Sequence, residues 1–156
     1  MRNILVSKLA IFTAALWWGT LTTLGFFVVP VLFQHLPSKA IAGNTAARLF
    51  EVQTWVSVGC GMVLLLLLRW KAKSASNSIE NEVKMVVAGV FIASNAIIFV
   101  VLGMLLALLV TFGVSPRIVA RENIVLWHAV GSLMYLAQWF CAGVVLWMVS
   151  NSKSTL

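Results

Sequence analysis

Four long apolar runs constrain this sequence more than any other feature. They extend over residues 9–33, 52–68, 83–112 and 124–149, with short polar segments between them. About 20 apolar residues in an α-helix cross the roughly 30 Å hydrocarbon core of a bilayer. The sequence therefore predicts an all-α integral membrane protein, in which residues 1–156 form a single bundle of four transmembrane helices with short loops.

The composition excludes the usual soluble classes. Hydrophobic residues make up 62% of the chain and charged residues 10%, whereas soluble domains carry about 25% charged residues. A domain of this size leaves much of its surface exposed and could not hide so much apolar surface from water. A soluble enzyme and a nucleic-acid-binding protein are excluded, although the net charge is +7. The basic residues lie between the runs, where they set topology and contact anionic lipid.

The distribution of basic residues predicts the orientation. Four spans place both termini and the loop between the second and third runs on one side of the membrane. That side carries seven basic residues: Arg2, Lys8, Arg69, Lys71, Lys73, Lys84 and Lys153. The other side carries four: Lys39, Arg48, Arg117 and Arg121. By the positive-inside rule, we expect both termini to be cytoplasmic.

The segment between the first two runs predicts a turn followed by a long helix. Pro37 ends the first helix, and Ser38 can cap the next one. No proline or turn cluster interrupts residues 46–55. We therefore expect one continuous second helix that extends as far as Arg69.

A polar stripe lies on the fourth run. At 100° per residue, one helix face holds five polar or aromatic side chains: His128, Ser132, Tyr135, Gln138 and Trp139. Hydrogen bonds between helices are one interpretation of this stripe. The other interpretation is a polar pocket that opens to the non-cytoplasmic side.

Other runs supply candidate partners for the stripe. Asn95 must face inward, because an unsatisfied amide is costly in lipid. The first two runs add six hydroxyl or amide side chains: Thr13, Thr20, Thr23, Gln53, Thr54 and Ser57. The predicted pocket then has eight candidate residues: Arg48, Glu51, Asn95, Arg117, His128, Ser132, Tyr135 and Gln138.

Charged residues at the non-cytoplasmic helix ends form the rim of this predicted pocket. Arg48 and Glu51 are three residues apart on one helix face, and Arg117, Arg121 and Glu122 precede the fourth run. Ion pairs that hold the helix ends together are one interpretation. Binding of an anion or a lipid phosphate is the other, since the arginine fork matches phosphate.

The two histidines give an alternative hypothesis of a haem- or copper-handling redox protein. His35 ends the first run and His128 begins the fourth, so both lie at a similar depth, and imidazole is a common metal and haem ligand. The chain has no HxxxH pair and no CxxCH motif. Cys60 and Cys141 differ in depth by about 10 Å or more at the helical rise, which argues against a shared copper site.

Motifs of enzyme chemistry are missing from the sequence. There is no GxSxG, HExxH or P-loop motif, no aspartate, and all four glutamates lie in loops or at run ends. We therefore expect a protein that is not an enzyme and that has no cofactor.

Short motifs spread over most of the chain carry a family resemblance. They are Pro30, Leu32-Phe33, Ala42-Gly43, Leu49-Phe50, Ser115-Pro116-Arg117 and His128. In these motifs the sequence resembles the bacterial branch of the transmembrane protein 205-like family, with Trp127 where leucine is more usual. It is more distantly similar to the copper-resistance D group. The resemblance implies four helices in a membrane and transfers no catalytic residue.

Together these observations predict a small multi-pass protein of the bacterial inner membrane. We expect a non-enzymatic structural, interaction or transport-associated role. The expected partners are the lipid bilayer, an anionic lipid, and a second copy or another membrane protein, but no nucleic acid.

Overall fold

A computed structural model describes residues 2–76, 83–120 and 123–151 of the chain, with the surroundings of side chains 4–73, 95–120 and 123–151. The predicted rim residues Arg121 and Glu122 lie outside the described residues.

The described chain is helical almost throughout. Its elements, in order, are α1 (Arg2–Thr22), a first π-helical segment (Thr23–Val28), α2 (Val29–His35), α3 (Lys39–Ser76), α4 (Val83–Leu109), a second π-helical segment (Val110–Val114), α5 (Ser115–Val119) and α6 (Ile124–Asn151). Four stretches are long and apolar enough to cross a membrane, and we call them spans 1 to 4: Ile4–His35, Lys39–Lys73, Asn95–Val119 and Ile124–Asn151. The predicted all-α protein with four membrane-spanning helices is confirmed.

The turn between spans 1 and 2 forms as the sequence predicts. The helix ends at His35, Leu36 is extended (φ −81°, ψ 146°), and Pro37 follows. The Ser38 hydroxyl accepts a hydrogen bond from the Ile41 amide at 3.2 Å, which caps α3. The long second helix is confirmed, and it continues beyond Arg69 through residues 71–76, where the sequence indicates a polar loop.

Each odd-numbered span contains a π-helical segment that ends at a proline. In span 1 the Val29 amide donates to the Leu24 carbonyl, five residues back, and the next residue is Pro30. Span 3 repeats this arrangement, since Ser115 donates to Val110 and is followed by a proline. Proline lacks an amide hydrogen and crowds the preceding turn, which lowers the free-energy cost of a wider turn before it.

The helix after the second π segment corrects a predicted boundary. The sequence places the end of the third span at residue 112 and Ser115-Pro116-Arg117 in a connection before span 4. These three residues instead begin α5, which prolongs span 3 to Val119. Proline fits the first turn of a helix because no hydrogen-bond donor is required there, so Pro116 does not stop the chain from remaining helical.

The four spans pack in a ring. The α1 helix packs against α3 and α6, and α4 packs against the same two helices, so spans 1 and 3 occupy opposite corners. Beyond the π segments, α2 packs against α3 and α5 packs against α6. Each short helix therefore packs against the span that follows it in the chain.

Candidate functional site

A cluster of hydrogen-bonded polar side chains joins spans 1, 2 and 4 near the middle of their length. The Gln53 amide nitrogen lies 3.1 Å from the Thr20 hydroxyl oxygen and 3.4 Å from that of Ser57. From span 4, the Gln138 amide nitrogen donates to the Ser57 hydroxyl at 2.9 Å. We call Thr20, Gln53, Ser57 and Gln138 the polar cluster.

Span 3 joins this region through a contact between two hydroxyl groups. The hydroxyl oxygens of Thr54 and Thr111 lie 2.7 Å apart, and Thr54 is buried. The same Thr54 hydroxyl bonds the Phe50 carbonyl of its own helix at 3.0 Å. Polar contacts therefore link span 2 to all three other spans.

Two aromatic side chains of span 4 donate to span 1 just before the first π segment. The Tyr135 hydroxyl donates to the Leu21 carbonyl, and the Trp139 indole nitrogen donates to the Thr22 hydroxyl, both at 2.8 Å. The Tyr135 ring also meets the Phe50 ring edge to face, with centroids 5.2 Å apart. The start of the π segment is thereby fixed to span 4.

The cluster consists of neutral groups in an apolar setting. Gln138 and Gln53 are only 3% and 7% exposed, and Ser57 is fully buried. The Ser57 hydroxyl makes three hydrogen bonds. It accepts from the side-chain amides of Gln53 and Gln138 and donates to the backbone carbonyl of Gln53 at 2.9 Å. Without water, such groups must bond one another. The arrangement can hold helices in register and can offer hydrogen bonds to a neutral ligand.

An open surface depression of span 1 meets the polar cluster at Thr20. It has a volume of about 410 Å³, lies along span 1 and includes Gly19, Thr20 and Thr23 in its lining. Thr20 thus belongs both to the polar cluster and to an open, mostly apolar surface.

The polar stripe predicted on span 4 divides into two parts. Tyr135, Gln138 and Trp139 face the other helices and make the hydrogen bonds described above, whereas His128 and Ser132 are exposed. The helical period predicts which side of span 4 each side chain occupies. It does not predict how far along span 4 the neighbouring helices extend. Since α2 packs against α3, the face of span 4 that carries His128 and Ser132 stays exposed.

Asn95 does not join the polar cluster. It is half-buried in span 3, twelve residues before Ala107, whose carbonyl lies 3.5 Å from the Thr54 hydroxyl. At 1.5 Å per residue, Asn95 is about 18 Å from that level. The structure therefore separates it from the other predicted pocket residues.

The charged rim is made of local contacts. Arg48 pairs with Glu51 at 3.3 Å, and their side chains are 85% and 51% exposed. Arg117 is exposed and lies over the Trp127 ring, 4.5 Å from its centroid. Exposed ion pairs of the first kind contribute little to stability, whereas an arginine stacked on a tryptophan keeps its donors free for a phosphate.

The two histidines lie at the surface. The His35 Nδ1 atom is 3.1 Å from the Val31 carbonyl of its own helix, and His128 is exposed. Groups of three or more His, Cys, Asp or Glu that could hold a metal do not occur within the described part of the chain. The predicted difference in depth between Cys60 and Cys141 is wrong, because each lies three residues after a member of the bonded Ser57–Gln138 pair, on spans that run in the same direction. The haem or copper alternative remains a prediction, which an absorption spectrum and a metal analysis of the purified protein would test.

Sequence reasoning misses Thr22 and Thr111, which complete the contacts to spans 1 and 3. Each lies at a π-helical segment, and the sequence carries no specific signal for these segments.

The fold and the site define a membrane protein of four spanning helices with buried, neutral polar contacts between them. A family model described as Domain of unknown function (DUF4149) matches residues 12–124, and the chain belongs to this uncharacterised family. No curated protein and no solved structure matches the chain.

Proposed function

We propose that this protein is a non-enzymatic interaction or transport-associated protein of the bacterial inner membrane. Its termini are cytoplasmic, and its polar pocket opens to the non-cytoplasmic side. We assign it to the bacterial branch of the transmembrane protein 205-like family, on the motifs around Pro30, Gly43 and Pro116. The observation that carries the proposal is the set of neutral hydrogen bonds centred on Ser57.

The chemistry of this cluster favours binding over reaction. Amide and hydroxyl side chains neither carry a proton relay nor supply a nucleophile without an activating base. They do recognise neutral hydrogen-bonding groups, and they hold helices in one register. A binding or scaffolding role needs no more than this.

The rim supports an anionic lipid headgroup as the molecule bound at the non-cytoplasmic end. Arg117 has an aromatic face on one side, and its guanidinium is exposed. Stacking on Trp127 orients the arginine fork, which matches the oxygens of a phosphate. Trp127 itself is a residue type that favours the headgroup level.

Native mass spectrometry tests this proposal. The protein is purified in mild detergent, mixed with phosphatidylglycerol or phosphatidylcholine, and compared with Arg117→Gln and Lys73→Gln. The control removes the same charge at the opposite end of the chain's spans. We expect Arg117→Gln to lose several-fold more phosphatidylglycerol adducts than Lys73→Gln, and phosphatidylcholine to be unaffected. Equal losses in the two variants would contradict the headgroup site. The same spectra report whether the protein associates with a second copy.

A further inference from the structure

A hydroxyl group of span 4 contacts the backbone of span 1 at the break between its α and π registers. In a regular α-helix the Leu21 carbonyl accepts from the Gly25 amide. Here the Tyr135 hydroxyl donates to the Leu21 carbonyl at 2.8 Å, and the Gly25 amide faces the same hydroxyl. The Leu21 carbonyl and the Gly25 amide are the two groups that bond each other in the α register, and the π-helical segment begins two residues after Leu21.

The phenol reaches this break because residue 25 is a glycine. A Cβ atom at Gly25 would lie 2.6 Å from Cε1 of Tyr135, too close for the ring to stay in place. Phe50 also packs against the Tyr135 ring, in an edge-to-face contact. The ring therefore has a defined position, which the smallest residue makes possible.

The helix beyond the break has no buried side chain. The α2 helix packs against α3, but none of its residues is buried, so rotation of this helix exchanges partly exposed contacts and displaces no buried side chain. Pro30 lies at its start and donates no backbone hydrogen bond, so the turn before it has one bond fewer to lose.

We infer that span 1 is a two-register helix switched by Tyr135. With the phenol engaged, residues 23–28 keep the π register. When the phenol withdraws, Leu21 and Gly25 bond each other, and the α register extends into α2. A π turn holds about one extra residue, so this change rotates α2 by about 100° and shifts it by about 1.5 Å. A role of this switch in admitting a ligand rests on the proposed pocket, whereas the change of register does not depend on that pocket.

Distances between spin labels test the switch without any ligand. Labels are placed at Phe33→Cys on α2 and Val125→Cys on α6, both exposed sites, with the buried Cys60 and Cys141 changed to alanine. Double electron–electron resonance is then recorded for the parent, Tyr135→Phe and Gly25→Ala. The first variant removes the hydroxyl, and the second displaces the whole ring.

The matched control is Gly19→Ala, since a Cβ there meets nothing within 4 Å on the same span. A second label pair, Leu9→Cys with Trp147→Cys, reports on the cytoplasmic half. We expect Tyr135→Phe and Gly25→Ala each to move the Phe33–Val125 distance by on the order of 5 Å, given a helix diameter of 10–12 Å. Gly19→Ala and the cytoplasmic pair should stay unchanged.

Three results would overturn the switch. The Phe33–Val125 distance could stay the same in Tyr135→Phe. Gly25→Ala could be indistinguishable from Gly19→Ala. Finally, the cytoplasmic pair could move as much as the outer pair, which would mean general loosening of the helices. A failure of the lipid-binding experiment changes none of these distances, so the two proposals fail separately.

Discussion

The amide nitrogen of Gln138 lies 2.9 Å from the hydroxyl oxygen of Ser57, and this bond crosses the ring of helices from span 4 to span 2. Both residues are buried, at 3% and 0% exposure. Spans 2 and 4 occupy opposite corners of the ring and have little direct packing contact. This hydrogen bond therefore connects two helices that are not neighbours in the ring. The bond therefore ties the two halves of the protein to each other.

Replacement of Ser57 by alanine should destabilise the protein by about 1–2 kcal/mol. One interhelical hydrogen bond in a membrane contributes about 0.6 kcal/mol, and the change leaves two buried amides without their shared acceptor. The free energy of unfolding is measured by circular dichroism during titration of SDS into mild-detergent micelles. Ser150→Ala is the control, because the Ser150 hydroxyl is exposed and bonds only the Trp147 carbonyl. Equal effects of the two changes would contradict the role of Ser57.

Replacement of Thr54 by valine should cost less, about 0.6 kcal/mol. The change keeps the side-chain volume and removes the hydroxyl that lies 2.7 Å from the Thr111 hydroxyl. Thr111 can then turn to a carbonyl of its own helix, so no buried donor is stranded.

The control for this prediction is Thr45→Val in the same assay. The Thr45 hydroxyl bonds only the Ile41 carbonyl, within one helix, and the change should leave stability nearly unchanged. A loss for Thr54→Val as large as that for Ser57→Ala would show that Thr111 does not recover a partner.

The long helices could be predicted from the sequence because their signals are local. Apolar length, the turn at Pro37 and the cap at Ser38 place the first boundary within a few residues. The π segments could not be predicted in this way. Side-chain periodicity does not show which backbone carbonyl accepts the hydrogen bond of a given amide. A proline such as Pro116 is equally compatible with the end of a helix and with a π-helical segment inside it.

The candidate site was predictable in part, for a related reason. The helical period correctly aligns Tyr135 and Gln138 with the interior. It says nothing about depth or about the reach of neighbouring helices, so it also includes His128, which is exposed, and Asn95, which lies at another level. Tertiary packing decides which part of a stripe is covered.

Replacement of Gly103 by alanine should destabilise the protein by about 1–3 kcal/mol, the usual cost of overpacking a core. A Cβ atom there would lie 2.7 Å and 2.9 Å from two ring atoms of Trp17. That ring is fully buried, so it must displace other core side chains in order to move. Gly59→Ala is the matched control, since a Cβ there meets nothing within 4 Å. It should leave stability unchanged or raise it, because alanine favours helix. The SDS titration measures the free energy of unfolding of both variants. Similar values for Gly103→Ala and Gly59→Ala would show that the Trp17 ring can move aside.

The orientation is tested by labelling of single cysteines in intact cells. Arg48→Cys and Lys73→Cys place thiols at exposed positions near opposite ends of span 2, while the native thiols of Cys60 and Cys141 are buried. With seven basic residues on the side of the termini and four on the other, the positive-inside rule predicts a cytoplasmic Lys73. A membrane-impermeant maleimide should therefore modify Arg48→Cys directly and Lys73→Cys only after permeabilisation. The reverse pattern would place the termini outside the cytoplasm and would move the Arg117 rim to the inner leaflet. Modification of both thiols in intact cells would indicate that the chain inserts in two orientations.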